Sequence, residues 1–180
     1  ELFSREQFVQ WFDLDHITPS AAQFNTEKLH WLNQQYIKAA DNARLAELTR
    51  PFLVRNGANP DDGPALAAVC ALVKERAATI EELADAATLF YRTLHPTPEL
   101  LAQHLTAEVM PALADLATRL ETLTWERSAI SAAYKETLAA HSLKMPKLAM
   151  PVRVLVTGET QTPAIDATLE LIGRDKVVSR

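Results

Sequence analysis

Three basic side chains, Lys144, Lys147 and Arg153, are the residues whose type and spacing best suit a chemical task. The stretch 137–158 contains these three cations and no aspartate or glutamate. The whole chain, in contrast, carries a formal net charge of -5. A local excess of positive charge in an acidic protein indicates a small surface that contacts an anion. The segment 144–173 is therefore predicted to recognise an anionic partner.

Further residues of this segment have types that suit recognition of a phosphate or a nucleic-acid base. Arg153 follows Pro151, which predicts that it lies at the start of a helix, where its guanidinium could donate two hydrogen bonds to one partner. Thr162, Pro163 and Ile165 are predicted at the N-terminus of the next helix, whose free N–H groups suit oxygen acceptors. These positions are candidate binding residues.

The same residues also have ordinary structural interpretations. Arg153 could be a solvated or ion-paired arginine, and Thr162 with Pro163 could be only a helix cap. Arg76 lies at the predicted end of a helix just before Thr79, where a cation is favourable against the helix dipole. Residue types and spacing alone do not decide between recognition and structure.

Catalytic motifs are absent from the sequence. The five histidines lack the spacing of zinc ligands, and no serine lies in a G-x-S-x-G motif. Four glycines are too few for the phosphate-binding loop of a nucleotide enzyme. We therefore expect a binding protein that holds no metal or cofactor of its own.

Composition limits the cellular context and the class of partner. Cys70 is the single cysteine, which excludes an internal disulfide and fits a reducing compartment. No apolar run approaches the ~20 residues that cross a bilayer. A pI near 5.5 argues against coating nucleic acid through many phosphate contacts. We expect a cytoplasmic protein with no membrane or DNA partner.

Apolar residues recur at spacings of three and four throughout the chain, which predicts an all-α fold. Cap residues predict where the helices of the first half lie. These helices are predicted from Ser4 to near Leu14, from Asn25, from Asn42 to Leu48, from Gly63 to Glu75, and from Thr79.

Two prolines, Pro96 and Pro98, predict a boundary between the halves because they forbid a continuous helix. Thr97 is predicted to cap a long helix that runs to about Thr122, and another helix is expected from Thr124 to near His141. The segment PVRVLV, from Pro151, has strand-forming residues but no partner strand, so we favour a short helix there. Thr162 and Pro163 are then predicted to cap a helix through Leu171 that Gly173 stops.

Five segments of the sequence carry a resemblance to a known family. They read ELFS from Glu1, KLHWLNQQYI from Lys28, PFL from Pro51, MPVRVLVTG from Met150 and TPAIDATLELIG from Thr162. In this order they resemble the C-terminal half of bacterial glutamyl-tRNA synthetases, which are class I enzymes that use ATP to join glutamate to its tRNA.

This resemblance implies a domain organisation. The chain would be two consecutive small helical bundles, which are anticodon-binding domains, preceded by the tail of a helical stem-contact fold. The implied boundaries are 1–50 for the stem-contact tail, 51–97 for the first bundle and 98–180 for the second. The ATP signatures of the family are absent from the sequence, so ATP and Mg²⁺ would belong to the full-length enzyme and this fragment would be non-catalytic.

The resemblance also implies roles for the candidate residues. Arg76 matches the family position that reads the last anticodon base, a cytosine, and an arginine there is typical of discriminating enzymes, which accept only the glutamate tRNA. Arg153, Thr162, Pro163 and Ile165 match positions that hold the anticodon bases in the second helical domain. Lys144 and Lys147 are expected to add basic contacts.

The sequence thus predicts a monomer that binds the anticodon loop of the glutamate tRNA as part of a glutamate–tRNA ligase. The alternative is a stand-alone helical scaffold that contacts proteins and does not bind tRNA.

Overall fold

The structure is a computed structural model that describes residues 2–17, 21, 23–92 and 95–180. These residues form helices and connecting segments and contain no strand. The all-α prediction is confirmed.

The described helices of the N-terminal segment bury little surface. Helix α1 (Arg5–Trp11) begins at a capping box in which Ser4 and Gln7 satisfy each other's backbone N–H groups, and none of its residues is buried. The predicted extension of α1 to Leu14 is wrong: the Asp13 side chain instead accepts from the backbone N–H of Asp15 and starts a separate 3-10 turn, Leu14–His16. Helix α2 (Thr26–Ala39) begins at the predicted Asn25 cap, whose side chain accepts from Lys28 N at 2.9 Å.

The next three helices form a packed group around fully buried residues that include Leu53, Val69 and Leu83. They are α3 (Asn42–Arg55), α4 (Leu66–Val73), which a 3-10 turn follows at Lys74–Arg76, and α5 (Ile80–Thr88). Helix α3 continues well beyond the predicted end at Leu48 and contains Pro51. Packing of Leu53 in the core offsets the missing proline N–H. The expected domain boundary between residues 50 and 51 therefore falls within a helix.

Two helices replace the predicted single helix from Pro98 to Thr122. Helix α6 (Pro98–His104) begins at the predicted Thr97 cap, and α7 (Met110–Thr122) has a proline, Pro111, in its first turn. A proline lacks the N–H that a continuous helix needs and its ring crowds the carbonyl four residues before it. The prediction of one long helix is wrong because Pro111 marks a second start.

Four helices complete the chain: α8 (Arg127–Ala140), α9 (Met145–Thr157), α10 (Ile165–Ile172) and α11 (Arg174–Ser179). The PVRVLV segment is helical, as favoured, but belongs to the longer helix α9. Gly158 ends α9 with a φ of +72°, and Gly173 separates α10 from α11 with a φ of +91°. Both positive φ values favour glycine.

Packing between the helices joins the two halves of the chain. Helix α3 packs on α4 and α5, α8 packs on α7 and α10, and α6 packs on α9. Helix α4 also contacts α10, and the buried apolar residues of α3, α4, α5, α7, α8, α9 and α10 belong to one continuous cluster. The turn that carries Arg76 therefore lies beside the loop before α10.

Candidate nucleic-acid interface

Arg76 is the last residue of the Lys74–Arg76 turn, and its side chain is exposed. The backbone around it is held by α2, because Asn33 Nδ2 donates to Ala78 O at 2.5 Å and Gln34 Nε2 donates to Glu75 O at 3.5 Å. Within the described residues, the Arg76 guanidinium has no hydrogen bond or ion pair. A fixed backbone thus presents a charged group with all its donors available.

A cleft of about 350 Å³ joins Arg76 to residues of the second half of the chain. We call it the Arg76 cleft. One wall comes from α4, the 3-10 turn and the end of α5, and the other comes from the loop before α10. Its lining residues are Leu72, Val73, Glu75, Arg76, Ala86, Leu89, Gln161, Thr162, Pro163 and Ala164. The cleft therefore brings together three of the predicted site residues.

Arg153 lies in the interior of α9, so its predicted place at a helix start is wrong. Pro146 is the proline in the first turn, and Pro151 lies inside the helix. The burial of Leu148 and Val152 stabilises α9 across Pro151. The half-buried Arg153 donates through Nε to Thr162 Oγ1 at 3.0 Å, and its Nη1 lies 3.6 Å from Met150 Sδ.

Thr162 does not cap α10, so the prediction that Thr162 and Pro163 cap this helix is wrong. The residue before the helix is Ala164, which makes no capping bond with its side chain. The buried Thr162 hydroxyl instead accepts from Arg153 Nε and donates to Pro163 O at 3.0 Å. Because a long-range partner occupies this hydroxyl, it orients Arg153 and leaves the helix end without a side-chain cap.

A second cleft, of about 320 Å³, surrounds Arg153, and we call it the Arg153 cleft. It lies between α8, α9 and the start of α10. Its lining residues are Ser131, Tyr134, Met145, Pro146, Ala149, Met150, Arg153, Ala164, Ile165 and Asp166. Ala164 lines both clefts, so the five predicted base-contacting residues fall into two neighbouring clefts: Arg76, Thr162 and Pro163 in one, Arg153 and Ile165 in the other.

The two predicted auxiliary lysines lie beyond the Arg153 cleft. Lys144 precedes α9 and is exposed, and its ammonium group has no polar partner in the described ranges. Lys147 Nζ lies 3.8 Å from Glu108 Oε2, and both side chains are 67% exposed, so this ion pair is weak. Lys147 lines a third cleft of about 230 Å³, which shares Pro146 and Met150 with the Arg153 cleft. The three clefts form a series.

Three polar residues of the Arg153 cleft, Ser131, Tyr134 and Asp166, were not predicted. Tyr134 is buried, and this burial raises its pKa well above the ordinary range, with Arg153 opposing the shift and Asp166 adding to it. Asp166 Oδ2 pairs with Arg127 Nε at 2.9 Å. The apolar stripe of α8 places Tyr134 in the core, and no sequence motif distinguishes its hydroxyl or the Asp166 carboxylate.

Other kinds of site find no support. Within residues 2–17, 21, 23–92 and 95–180, no group of three or more His, Cys, Asp or Glu side chains could hold a metal ion. None of the described helices is both long and apolar enough to cross a membrane.

Comparison with curated proteins finds relatives that match the whole chain. It is 87% identical to a glutamate–tRNA ligase of Thiobacillus denitrificans and covers 38% of that protein. It is 61% identical to the glutamate–tRNA ligase of Ralstonia nicotianae and covers 39% of it. The chain thus spans about two fifths of the length of these relatives. The resemblance to glutamyl-tRNA synthetases is confirmed.

Solved structures and a family match agree with this result. A crystal structure of a glutamate tRNA ligase from Elizabethkingia meningosepticum superposes with a TM-score of 0.83 at 22% identity, over 98% of this chain and 35% of that one. At this identity the match shows the fold. Residues 44–180 match the family described as "Anticodon binding domain". The chain therefore belongs to the anticodon-binding domain family.

Proposed function

We propose that this chain recognises the anticodon loop of the glutamate tRNA, as the anticodon-binding part of a glutamate–tRNA ligase. The observation that carries the proposal is the pair of neighbouring clefts, each of which holds one arginine and which share Ala164. Single-stranded RNA is recognised by such pockets, because bases that leave the stack can enter them and be bound at their edges.

In this proposal Arg76 reads the last anticodon base, a cytosine. The O2 and N3 atoms of cytosine are acceptors, and a guanidinium has only donors. Arg76 has no competing partner in the described part of the chain, and α2 fixes the backbone around it. A uracil would present an N–H donor at the N3 position, which the guanidinium cannot accept. This difference would let the cleft discriminate between pyrimidines.

The remaining predicted residues would hold the other anticodon bases. Arg153 would donate to a base edge, with Thr162 fixing the direction of its guanidinium. Pro163 and Ile165 supply apolar surface on which a base can lie. Lys144 and Lys147 would contact neighbouring phosphates, because an exposed ammonium group attracts a phosphate as a point charge.

The wider assignments belong to the same proposal. The division into 1–50, 51–97 and 98–180 stays a prediction, as do the monomeric state and the cytoplasmic location. In a full-length protein of the relatives' size, the remaining three fifths of the chain would bind ATP and Mg²⁺ and catalyse the glutamylation of tRNA.

Binding of two RNA hairpins tests the function. One is the anticodon arm of the glutamate tRNA, and the other differs only at the last anticodon base; both are titrated into the chain at one stated salt concentration. We expect the change to weaken binding about tenfold or more, as for loss of a bidentate base contact. Binding to neither hairpin would contradict the function and favour the protein-interaction scaffold.

A substitution then tests the role of Arg76. The Arg76→Ala variant should bind the two hairpins equally. Arg44→Ala is the matched control, because Arg44 is also exposed, has no side-chain partner in the described ranges and lies outside the three clefts. Discrimination that survives in Arg76→Ala would exclude Arg76 as the reader of this base.

A further inference from the structure

The hydroxyl of Tyr134 is buried and has no hydrogen-bond partner in the described part of the chain. The residue is 1% exposed. Three other buried side-chain atoms share this property, on Asn42, Thr137 and Arg174, but none of these residues lines the Arg76, Arg153 or Lys147 cleft. Tyr134 lines the Arg153 cleft. A residue in the wall of a candidate binding site therefore carries a buried, unpaired hydroxyl.

Stability of the fold does not explain this hydroxyl. A buried hydroxyl that lacks a partner is unfavourable, whereas a phenyl ring of the same shape has no group to desolvate. Tyr91 shows the usual arrangement, because its hydroxyl donates to Pro64 O at 2.7 Å. The tyrosine at position 134 thus lacks the bond that would account for it within the protein.

The surroundings of the hydroxyl indicate what it could contact. Arg153 and Asp166 both line the cleft; the guanidinium has only donors and the carboxylate only acceptors. The two carboxylate oxygens also accept from Arg127 Nε and Ala167 N. A tyrosine hydroxyl can both donate and accept. Together the three groups match a Watson–Crick edge, on which donors and acceptors lie side by side.

We propose that Tyr134 is a further base-contacting residue, whose hydroxyl completes a hydrogen-bonding set with Arg153 and Asp166 around a base in the Arg153 cleft. This inference rests on the proposed function, and it concerns a base other than the one assigned to Arg76. The bound base would supply the partner that the protein does not.

The Tyr134→Phe variant tests the proposal because it removes only the hydroxyl. Without RNA, the melting temperature should stay the same or rise, since an unpaired buried group is lost. Binding of the glutamate anticodon hairpin should weaken about fivefold, the usual effect of one lost hydrogen bond. A structural tyrosine would show the opposite pattern, with lower stability and unchanged binding.

Hairpins altered at single anticodon positions locate the contact. In Tyr134→Phe, the penalty for changing the first or the middle anticodon base should shrink, while the penalty at the last base should remain. The control is Tyr91→Phe, which loses the bond to Pro64 O and should lose stability while keeping its discrimination among hairpins.

Three results would overturn the proposal: unchanged affinity in Tyr134→Phe, an equal loss of affinity for every hairpin, or a smaller penalty only at the last base. A wild-type chain that binds no hairpin would instead reject the proposed function, and with it this inference. The two failures are therefore distinguishable.

Discussion

Arg153 shows how a single side chain is prepared for recognition. Its Nε donates to the Thr162 hydroxyl, while its Nη1 lies 3.6 Å from Met150 Sδ, a weak acceptor on another residue of the Arg153 cleft. A guanidinium held at one nitrogen loses less freedom on binding than a free one. Lysine could not replace it, because an ammonium has a single nitrogen. A guanidinium can donate from Nε to one partner and present its two Nη groups, in the same plane, to another.

The Arg153→Ala variant should therefore lose RNA binding without losing the fold. We expect affinity for the glutamate anticodon hairpin to fall about tenfold or more, as for a lost bond to a charged group. Thr162 keeps its bond to Pro163 O, so the helical circular dichroism spectrum should be unchanged. Arg153→Lys, which keeps the charge, should recover only part of the affinity. Unfolding of the alanine variant would identify a structural arginine instead.

Asp115 predicts a pH dependence of stability that is separate from binding. The hydrogen bond from Arg119, at 2.9 Å, lowers the pKa of this carboxyl, and His141 Nε2 at 3.2 Å from its other oxygen acts in the same direction. A carboxyl whose pKa is lower in the folded state than in the unfolded state stabilises the fold. This contribution is complete at pH values above the unfolded-state pKa of about 3.9, and it is lost as the pH falls through the folded-state pKa.

Thermal unfolding of wild type and Asp115→Asn as a function of pH measures this effect. The variant should be less stable at neutral pH, and the difference should shrink as the pH falls below about 4. Glu121→Gln, at an exposed position of the same helix, provides the control and should show a smaller difference. A gap between wild type and Asp115→Asn that grows in acid would contradict the assignment.

Helix termini decide how well each element is anchored. Thr79 accepts from Glu82 N at 3.1 Å, and Glu82 Oε2 accepts from Ala78 N at 2.7 Å, at the start of α5. At α1 the Ser4 hydroxyl accepts from Gln7 N, and Gln7 Oε1 accepts from the backbone N–H of Ser4 itself. Each helix thus begins at a hydroxyl cap, but α5 buries Leu83 and Ala84, whereas α1 buries no residue.

Equal cap substitutions should therefore have unequal effects. Thr79→Ala should destabilise the protein by about 1 kcal/mol, which lowers the melting temperature of a chain of this size by about 2–4 °C. Ser4→Ala should leave the main transition unchanged, because α1 can unfold without opening the core. A differential scanning measurement of both variants checks this. Equal shifts would show that α1 belongs to the cooperative unit.

Local signals predicted the elements better than the site. Asn25, Thr97 and Gly173 act as the caps and the stop that residue chemistry indicates, because such signals depend on a few neighbouring residues. The helix break before Pro111 was missed because Ala, Leu and Glu around it suit a helix. Thr162 failed as a predicted cap because its hydroxyl bonds Arg153 in another helix, a tertiary contact that no local pattern contains.

The site as a whole depended on the family resemblance. Nothing in the sequence pattern brings Arg76 beside Thr162, since their common cleft requires α4 to pack on α10. Residue types made Arg153, Thr162, Pro163 and Ile165 candidates, and the resemblance gave these residues and Arg76 a common role. The structure adds their division between two clefts. Tyr134 was missed because its position in the sequence is typical of a core residue. Asp166 was missed because an acid in the first turn of a helix is common.

The two halves of the molecule are joined at more than one place, which keeps the clefts in register. Lys176 Nζ in α11 donates to Asp62 O at 3.1 Å, and α4 contacts α10. The Arg76 cleft lies at this junction and the Arg153 cleft adjoins it through Ala164, while the whole chain has a net charge of -5. RNA is repelled by most of the surface of such an acidic protein and is attracted only where a few exposed cations lie.

This charge distribution predicts a weak salt dependence of RNA binding. Two phosphate contacts, from Lys144 and Lys147, give a slope of log affinity against log salt of about -1.4 on single-stranded RNA. Lys144→Ala should reduce the magnitude by about 0.7 and weaken binding to all hairpins equally, since phosphates carry no base identity. Lys135→Ala removes the same charge from an exposed position of α8 outside the clefts, so its slope should match that of wild type. A wild-type slope steeper than about -4 would mean that many phosphates are contacted, and recognition would then rest on charge rather than on the bases in the two arginine clefts.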